Sequence, residues 1–267
     1  MPIETVGDID ICYERQGTGP RLLYISGTGS DLRNRPGILD GPLARAFDVL
    51  AYDQRGLGRT SKPDRPYTMA DYADDAARLM NHVGWQDARV LGISFGGMVA
   101  QELALRHPAK VERLVLACTS PGGGGEPSYP LHQLQDMEPA QRARFVIGIS
   151  DTRRDQAWAE ATAAEVDTLV TMSMDGFVGE PGRAIGARRQ LEARAGHDTW
   201  ERLGDIRCPT MIAAGRYDGI ATTRAQENMA SRILGADLRY FDGGHLFMLQ
   251  DRNAFPAMIE FLHSGDA

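Results

Sequence analysis

Six short apolar runs, separated by polar loops and helical patterns, constrain the fold of this chain most strongly. Each run is rich in Val, Ile, Leu and aromatic residues, and turn or loop residues separate it from the next. The runs occupy residues 21–27, 47–53, 88–94, 111–119, 209–215 and 236–242. Short runs of this kind are typical of strands that are buried on both faces of a sheet.

A helical pattern lies between two of these runs. Apolar residues recur at three- and four-residue spacing from Met69 to Val83, and Thr68 with Asp71 can cap the start of this helix. Alternation of strands and helices predicts a parallel sheet covered by helices. Segments 4–17 and 19–26 have no helix between them, so we expect them to form an antiparallel hairpin that opens an otherwise parallel sheet.

The alternation stops between Pro121 and His197. This region begins with PGGGGEPSYP and continues through polar helical segments without a convincing strand. We therefore expect residues 121–197 to form a helical cap that is inserted into a core of residues 1–120 and 198–267. The four glycines at 122–125 are not followed by the Lys and Ser/Thr of a phosphate-binding loop, so we interpret them as a flexible start of the cap.

Composition and charge restrict the class of protein. A chain of 267 residues with 42% hydrophobic residues can form one large domain, or one domain with an insertion. The net charge of −7, with Lys and Arg scattered along the chain, does not favour nucleic acid or an anionic membrane as a partner. No signal peptide and no apolar run of about eighteen residues is recognisable, so we expect a cytoplasmic protein.

The cysteines and histidines do not predict a metal site. Cys12, Cys118 and Cys208 have none of the paired spacings of zinc sites or disulfide frameworks, and we interpret them as reduced, mostly buried packing residues. The six histidines form neither an HExxH motif nor another close pair. We expect no metal and no cofactor.

The stretch GISFG at 92–96 places Ser94 between a predicted strand and a predicted helix. A serine in such a tight turn needs very small neighbours, which Gly92 and Gly96 provide, and the turn lifts the hydroxyl clear of the sheet. The backbone N–H of Phe95, at the start of the helix, can face negative charge that develops on a substrate oxygen. The motif therefore predicts a nucleophilic serine.

At this point the chain resembles the α/β-hydrolase superfamily over nearly its whole length. Besides GISFGG, the resemblance rests on SGTG at 26–29, DQRGLGRTS at 53–61, AAGRYDGI at 213–220 and DGGHLFMLQ at 242–250. It implies an α/β-hydrolase fold, with a mostly parallel eight-stranded sheet flanked by helices and a helical cap insertion. In this fold the residues of the catalytic triad occur along the chain in the order serine, acid, histidine. The candidates here follow that order: Ser94, Asp218 and His245.

The acid and the histidine each have competitors in the sequence. Asp242 lies only three residues before His245, so we interpret it as shaping the turn of His245. Gly243 and Gly244 free the backbone that brings His245 toward Ser94. The remaining histidines fall in helices, near the terminus, or in the cap and its exit.

The backbone N–H groups of Thr28 and Phe95 are the candidate oxyanion hole. Ser26 and Gly27 stand where the commonest family pattern has His-Gly. Enol-lactonases of the 3-oxoadipate type resemble this chain in lacking that histidine, which favours a lactone or ester substrate. In DQRGLGRTS, Arg55 is expected to bond loop carbonyls and to have a structural role.

These residues predict hydrolysis of a small-molecule carboxylic ester or lactone through an acyl-enzyme on Ser94, with His245 as base and Asp218 orienting it. Three alternatives remain open. Two use the same triad: C–C bond hydrolysis of β-diketone-like compounds, and cofactor-free perhydrolysis. The third is a non-catalytic protein that binds small molecules on the same fold.

Two groups of cap residues have alternative roles. An apolar roof over the substrate pocket, or simply the cap's own small core, would be formed by Trp158, Met172, Met174 and Phe177. A substrate carboxylate could be bound by one of three arginines, although a solvated basic helix face is the favoured interpretation: Arg188, Arg189 and Arg194. The sequence does not predict the oligomeric state.

Overall fold

The structure is a computed structural model that describes residues 1–174 and 176–265. Residue 175, within the predicted cap, and residues 266 and 267, within the predicted core, lie outside the described residues.

Eight strands form one sheet. In chain order they are β1 (Ile3–Val6), β2 (Ile9–Gln16), β3 (Arg21–Ile25), β4 (Asp48–Tyr52), β5 (Ala88–Ile93), β6 (Val111–Ala117), β7 (Thr210–Gly215) and β8 (Asp237–Phe241). Their order across the sheet is β1-β2-β4-β3-β5-β6-β7-β8. Strands β3 to β8 run parallel, and β1 and β2 pair antiparallel to their neighbours. The prediction of a mostly parallel eight-stranded sheet is confirmed.

The predicted hairpin between segments 4–17 and 19–26 is wrong. The hairpin lies within the first segment, where β1 pairs with β2 around a turn at Gly7, whose φ is +69°. Strand β2 then pairs with β4, while β3 takes a central place between β4 and β5. The reason is that the apolar β3 can pair on both edges with parallel strands, whereas the polar end of β2 suits a position nearer the edge of the sheet.

Helices cover the sheet on both faces and bury two clusters of apolar side chains against it. In chain order they are α1 (Leu43–Ala46), α2 (Met69–His82), α3 (Phe95–Arg106), α4 (Pro139–Ser150), α5 (Gln156–Ala161), α6 (Ala163–Ser173), α7 (Arg183–Ala195), α8 (Thr223–Arg232), α9 (Phe247–Gln250) and α10 (Ala254–His263). As predicted, Thr68 and Asp71 cap α2 through reciprocal side-chain to backbone hydrogen bonds of 3.1 and 2.8 Å. None of the helices in the described ranges is both long and apolar enough to cross a membrane.

Between β6 and β7 the chain forms the four helices α4 to α7, and in the described part of this region no strand occurs. An isolated antiparallel bridge joins Gly122 to Asp198, so the chain leaves and re-enters the core at neighbouring points. We call residues 121–197 the cap segment. Its division from the core as a separate unit stays a prediction.

Candidate active site

The turn at Ser94 holds a strained backbone between β5 and α3. Ser94 has a φ of 56°, in the left-handed region of the backbone that residues other than glycine rarely adopt. A Cβ added at Gly92 would lie 2.4 Å from the carbonyl oxygen of Gly96, and one added at Gly96 would lie 2.0 Å from that of Ile25. The two glycines are therefore required for the turn to form.

The structure brings Ser94, Asp218 and His245 together. The Nε2 atom of His245 lies 2.9 Å from Ser94 Oγ, and its Nδ1 atom lies 2.9 Å from Asp218 Oδ2. Asp218 and His245 are 4% and 8% exposed, so the contacts form away from bulk water. The arrangement allows an imidazole to remove the serine proton while a carboxylate fixes its tautomer.

Backbone groups orient the Asp218 carboxylate. Its Oδ1 atom accepts hydrogen bonds from the N–H groups of Ile220 and Ala221, at 2.8 and 2.9 Å. The competing Asp242 instead accepts a hydrogen bond from Arg153 at the surface, at 3.2 Å. The geometry therefore favours Asp218 over Asp242 as the partner of His245.

The buried thiol of Cys118 lies at the end of β6, near this carboxylate. Burial, together with the negative charge of Asp218, raises the pKa of Cys118 well above its usual range. The thiol therefore stays protonated, which agrees with a packing role. All three cysteines are free.

The turn after α4, in the cap segment, holds the loops that carry the acid and the histidine. The carbonyl oxygen of Ser150 accepts a hydrogen bond from the backbone N–H of His245, and Thr152 donates its N–H to the carbonyl oxygen of Tyr217 at 2.8 Å. A Cβ at Gly244 would lie 2.1 Å from the Ser150 oxygen, so this close approach needs glycine. Sequence reasoning missed this contact, because nothing in the local pattern at 150–152 indicates a partner nearly one hundred residues away.

The predicted oxyanion loop lies against Ser94. A Cβ at Gly27 would lie 3.6 Å from the Cβ of Ser94. Within the described ranges, the N–H groups of Thr28 and Phe95 have no protein acceptor. The loop is held from two sides, because Gln54 Nε2 donates to the Ser26 carbonyl oxygen at 2.8 Å and the N–H of Gly29 donates to Gln190 Oε1 at 2.9 Å.

The predicted apolar roof needs correction. Met172 is 77% exposed because α6 buries its opposite face through Val166 and Val170, and Met174, which follows the end of α6, is 46% exposed. Side chains this exposed do not enclose a substrate.

The two aromatic residues of the predicted roof contact arginines. The ring of Phe177 lies under the guanidinium of Arg33 at 3.7 Å, and the ring of Trp158 lies under that of Arg154 at 5.2 Å. A role in the substrate pocket stays a prediction for both. Two cavities, of about 310 and about 90 Å³, are lined by residues other than Ser94, Asp218 and His245.

The arginines differ from the sequence interpretation in two respects. Among the described residues, Arg55 bonds no loop carbonyl: its fully buried guanidinium pairs with Asp75 at 2.7 Å and with Asp8 at 3.1 Å, because a buried cation is best stabilised by carboxylates.

The second difference concerns the basic face of α7. Arg188 and Arg189 pair with the exposed Asp64 and Glu192, as a solvated face would. Arg194 is instead only 5% exposed, so it is not part of that face.

Comparison with known proteins agrees with this fold. Residues 20–251 match the model of the alpha/beta hydrolase fold family. The chain is 30% identical to a poly(3-hydroxyalkanoate) depolymerase of Ectopseudomonas oleovorans, over 90% of this chain and 83% of that protein. It is 29% identical to a hydrolase from Pseudomonas aeruginosa PA01, with a TM-score of 0.80 and 98% of each chain covered. The enol-lactonase from Burkholderia xenovorans LB400 superposes with a TM-score of 0.80 at 25% identity, over 98% of this chain and 100% of that one. On the strength of its fold and of this match over most of its length, the chain belongs to the α/β-hydrolase fold family, as its motifs predicted.

Proposed function

We propose that this protein is a serine hydrolase that cleaves a carboxylic ester or lactone of a small molecule through an acyl-enzyme on Ser94. The observation that carries the proposal is the line of contacts from Asp218 through His245 to Ser94, with 2.9 Å at each end of the imidazole. The similarity to an enol-lactonase supports a lactone or ester as the substrate class.

In the first half of the reaction, His245 Nε2 takes the proton of Ser94, and the serine Oγ attacks the substrate carbonyl carbon. The carbonyl oxygen becomes negatively charged and accepts hydrogen bonds from the N–H groups of Thr28 and Phe95. Because these groups have no protein acceptor within the described ranges, they are available when the charge develops.

The tetrahedral intermediate then collapses. The bond between the carbonyl carbon and the alcohol oxygen breaks, and the protonated His245 gives its proton to that oxygen. Asp218 stabilises the imidazolium between these steps. Water, deprotonated by His245, next attacks the acyl-enzyme and releases the carboxylic acid together with the free Ser94 hydroxyl.

The direct test is hydrolysis of p-nitrophenyl esters, from acetate to decanoate, by the wild type and by Ser94→Ala. We expect the substitution to lower kcat by about 10⁴-fold or more, since the residues of such a triad act as one unit. Ser231→Ala, at an exposed serine on α8, is the matched control and should keep the wild-type rate. Equal rates for Ser94→Ala and the wild type would overturn the proposal.

A further inference from the structure

Helix α7 has two neighbouring buried side chains, Gln190 and Arg194, of which Gln190 bonds the backbone of the core and Arg194 bonds the backbone of the cap segment itself. Gln190 Oε1 accepts the N–H of Gly29, and Arg194 Nη1 donates to the carbonyl oxygen of Tyr129 at 2.7 Å. The two residues are four positions apart on one helix, so their side chains lie side by side on the same face.

The buried guanidinium of Arg194 has no carboxylate partner in the described part of the chain. Its Nε and Nη2 atoms are buried and have no hydrogen-bond partner within residues 1–174 and 176–265. The other strongly buried guanidinium groups differ, since Arg55 pairs with Asp75 and Arg183 pairs with Asp31. A positive charge buried without an anion is unfavourable, so this position lacks a partner of negative charge.

Arg194 lies near the loop that carries Asp218. The N–H of Tyr129 donates to the carbonyl oxygen of Ile220 at 2.7 Å, and the N–H of Ile220 donates to Asp218 Oδ1 at 2.8 Å. Burial lowers the pKa of Arg194 to about 10, and the charge of Asp218 opposes this shift. The guanidinium therefore remains charged at neutral pH.

The unused donors have the arrangement that a carboxylate needs. Nε and Nη2 form one edge of the planar guanidinium, and Arg55 uses this same edge to bind both oxygens of Asp75 at 2.8 and 2.7 Å. Beside it, Gln190 Nε2 is also buried and without a partner in the described residues. The side chains that carry these donors are connected to two loops of the candidate active site, since Gln190 bonds Gly29 of the oxyanion loop and Arg194 bonds Tyr129, which bonds Ile220 of the Asp218 loop.

We propose that Arg194, assisted by Gln190, binds a free carboxylate of the substrate, so that the preferred substrate is an ester or lactone that carries a second, ionised carboxyl group. The inference rests on the proposed function for its catalytic readout. It adds to that function a subsite and a substrate class.

The first experiment compares matched substrate pairs. Monomethyl succinate, monomethyl glutarate and monomethyl adipate are compared with methyl butanoate, methyl pentanoate and methyl hexanoate, respectively. In each neutral ester a methyl group replaces the free carboxylate. A second series compares acetate esters of hydroxy acids with acetate esters of simple alcohols. In this series the carboxylate lies on the leaving group instead. At one chain length in one series, we expect wild-type kcat/KM to favour the carboxylated ester by about tenfold to a hundredfold, as expected for hydrogen bonds to a charged group.

Variants then locate the preference. Arg194→Met should reduce the ratio between carboxylated and neutral esters to about one, and Arg194→Lys should restore part of it. Arg188→Met removes an exposed guanidinium of the same helix and should leave the ratio unchanged. A wild type with no preference for the carboxylated ester, or an Arg194→Met variant with the wild-type ratio of carboxylated to neutral ester, would overturn the proposal. Bound water would then be the partner of these donors.

A binding measurement separates this subsite from the proposed chemistry and does not depend on the folding of Arg194 variants. Adipate should raise the Tm of the wild type and of Ser94→Ala more than hexanoate does, since binding to the folded state stabilises it. Adipate binding without ester turnover would support the subsite and contradict the proposed function. Equal shifts with adipate and hexanoate, beside normal ester turnover, would contradict the subsite alone.

Discussion

The side-chain oxygen of Gln190 accepts a hydrogen bond of 2.9 Å from the backbone N–H of Gly29. Gln190 belongs to the cap segment and is fully buried, whereas Gly29 belongs to the loop that we propose as half of the oxyanion hole. The contact spans 161 positions of the sequence and fixes the residue that follows Thr28. A cap residue therefore holds the oxyanion loop in place.

Replacing Gln190 tests this positioning role. Gln190→Leu removes the acceptor, so the Thr28 N–H should be held less well, and kcat on a neutral ester should fall by about tenfold with KM changed less than about twofold. Gln190→Glu keeps an acceptor oxygen at the same reach and should recover part of kcat. Steady-state kinetics with p-nitrophenyl butyrate measure both. A Gln190→Leu variant with wild-type kcat would contradict the role.

The buried pair of Arg55 and Asp75 should be important for stability. Arg55→Met leaves the Asp75 carboxylate buried without its main partner, and we expect the free energy of unfolding to fall by about 3–5 kcal/mol. The double variant Arg55→Met/Asp75→Leu should recover most of this loss, because it buries no unpaired charge. Denaturant unfolding measures the difference.

An exposed arginine provides the control for this pair. Arg207 is 69% exposed at its side chain and lies 3.5 Å from Asp205, so Arg207→Met should change stability by less than about 0.5 kcal/mol. Equal losses of unfolding free energy for Arg55→Met and Arg207→Met would show that the buried pair contributes no more to stability than an exposed pair.

His197 should make stability depend on pH. Its Nε2 atom donates to the carbonyl oxygen of Ser120 at 3.1 Å, and burial lowers the pKa of its imidazole from 6.5 to about 4. Between these values the unfolded chain binds a proton that the folded chain does not. The stabilisation is therefore complete above pH 6.5 and declines as pH falls toward 4, by up to about 3 kcal/mol.

The variant His197→Gln isolates this contribution. Its unfolding free energy should decline less than that of the wild type between pH 6.5 and pH 4, whatever its absolute stability. His82→Gln, at an exposed histidine of α2, should decline as the wild type does. Parallel curves for His197→Gln and the wild type would contradict the assignment.

The sheet could be predicted from the sequence because its strands are locally encoded. The runs at 88–94 and 209–215 are mostly apolar, and the observed strands, Ala88–Ile93 and Thr210–Gly215, each differ from the predicted run by one residue. The hairpin was predicted wrongly because strand pairing depends on which edges are free, which no local pattern shows. Ser94 was recognisable for the opposite reason, since its turn needs glycines at fixed positions.

The cap contacts could not be predicted because they join distant segments. Arg188, Arg189 and Arg194 look alike in the sequence, yet of the three only Arg194 is buried. Likewise, the polar 150–152 segment gives no sign that it bonds the His245 and Tyr217 loops. Helical periodicity was too weak here to tell which face of each cap helix is buried.

The most direct test of the central claim is mass spectrometry of the protein after exposure to a fluorophosphonate. Trypsin should release residues 90–106 as one peptide, and Ser94 carries the only hydroxyl group in that peptide. Because a serine activated by His245 attacks phosphorus as it attacks a carbonyl, we expect one adduct, on this peptide, in the wild type and none in Ser94→Ala. An unmodified 90–106 peptide, or an adduct that persists in Ser94→Ala, would contradict the account.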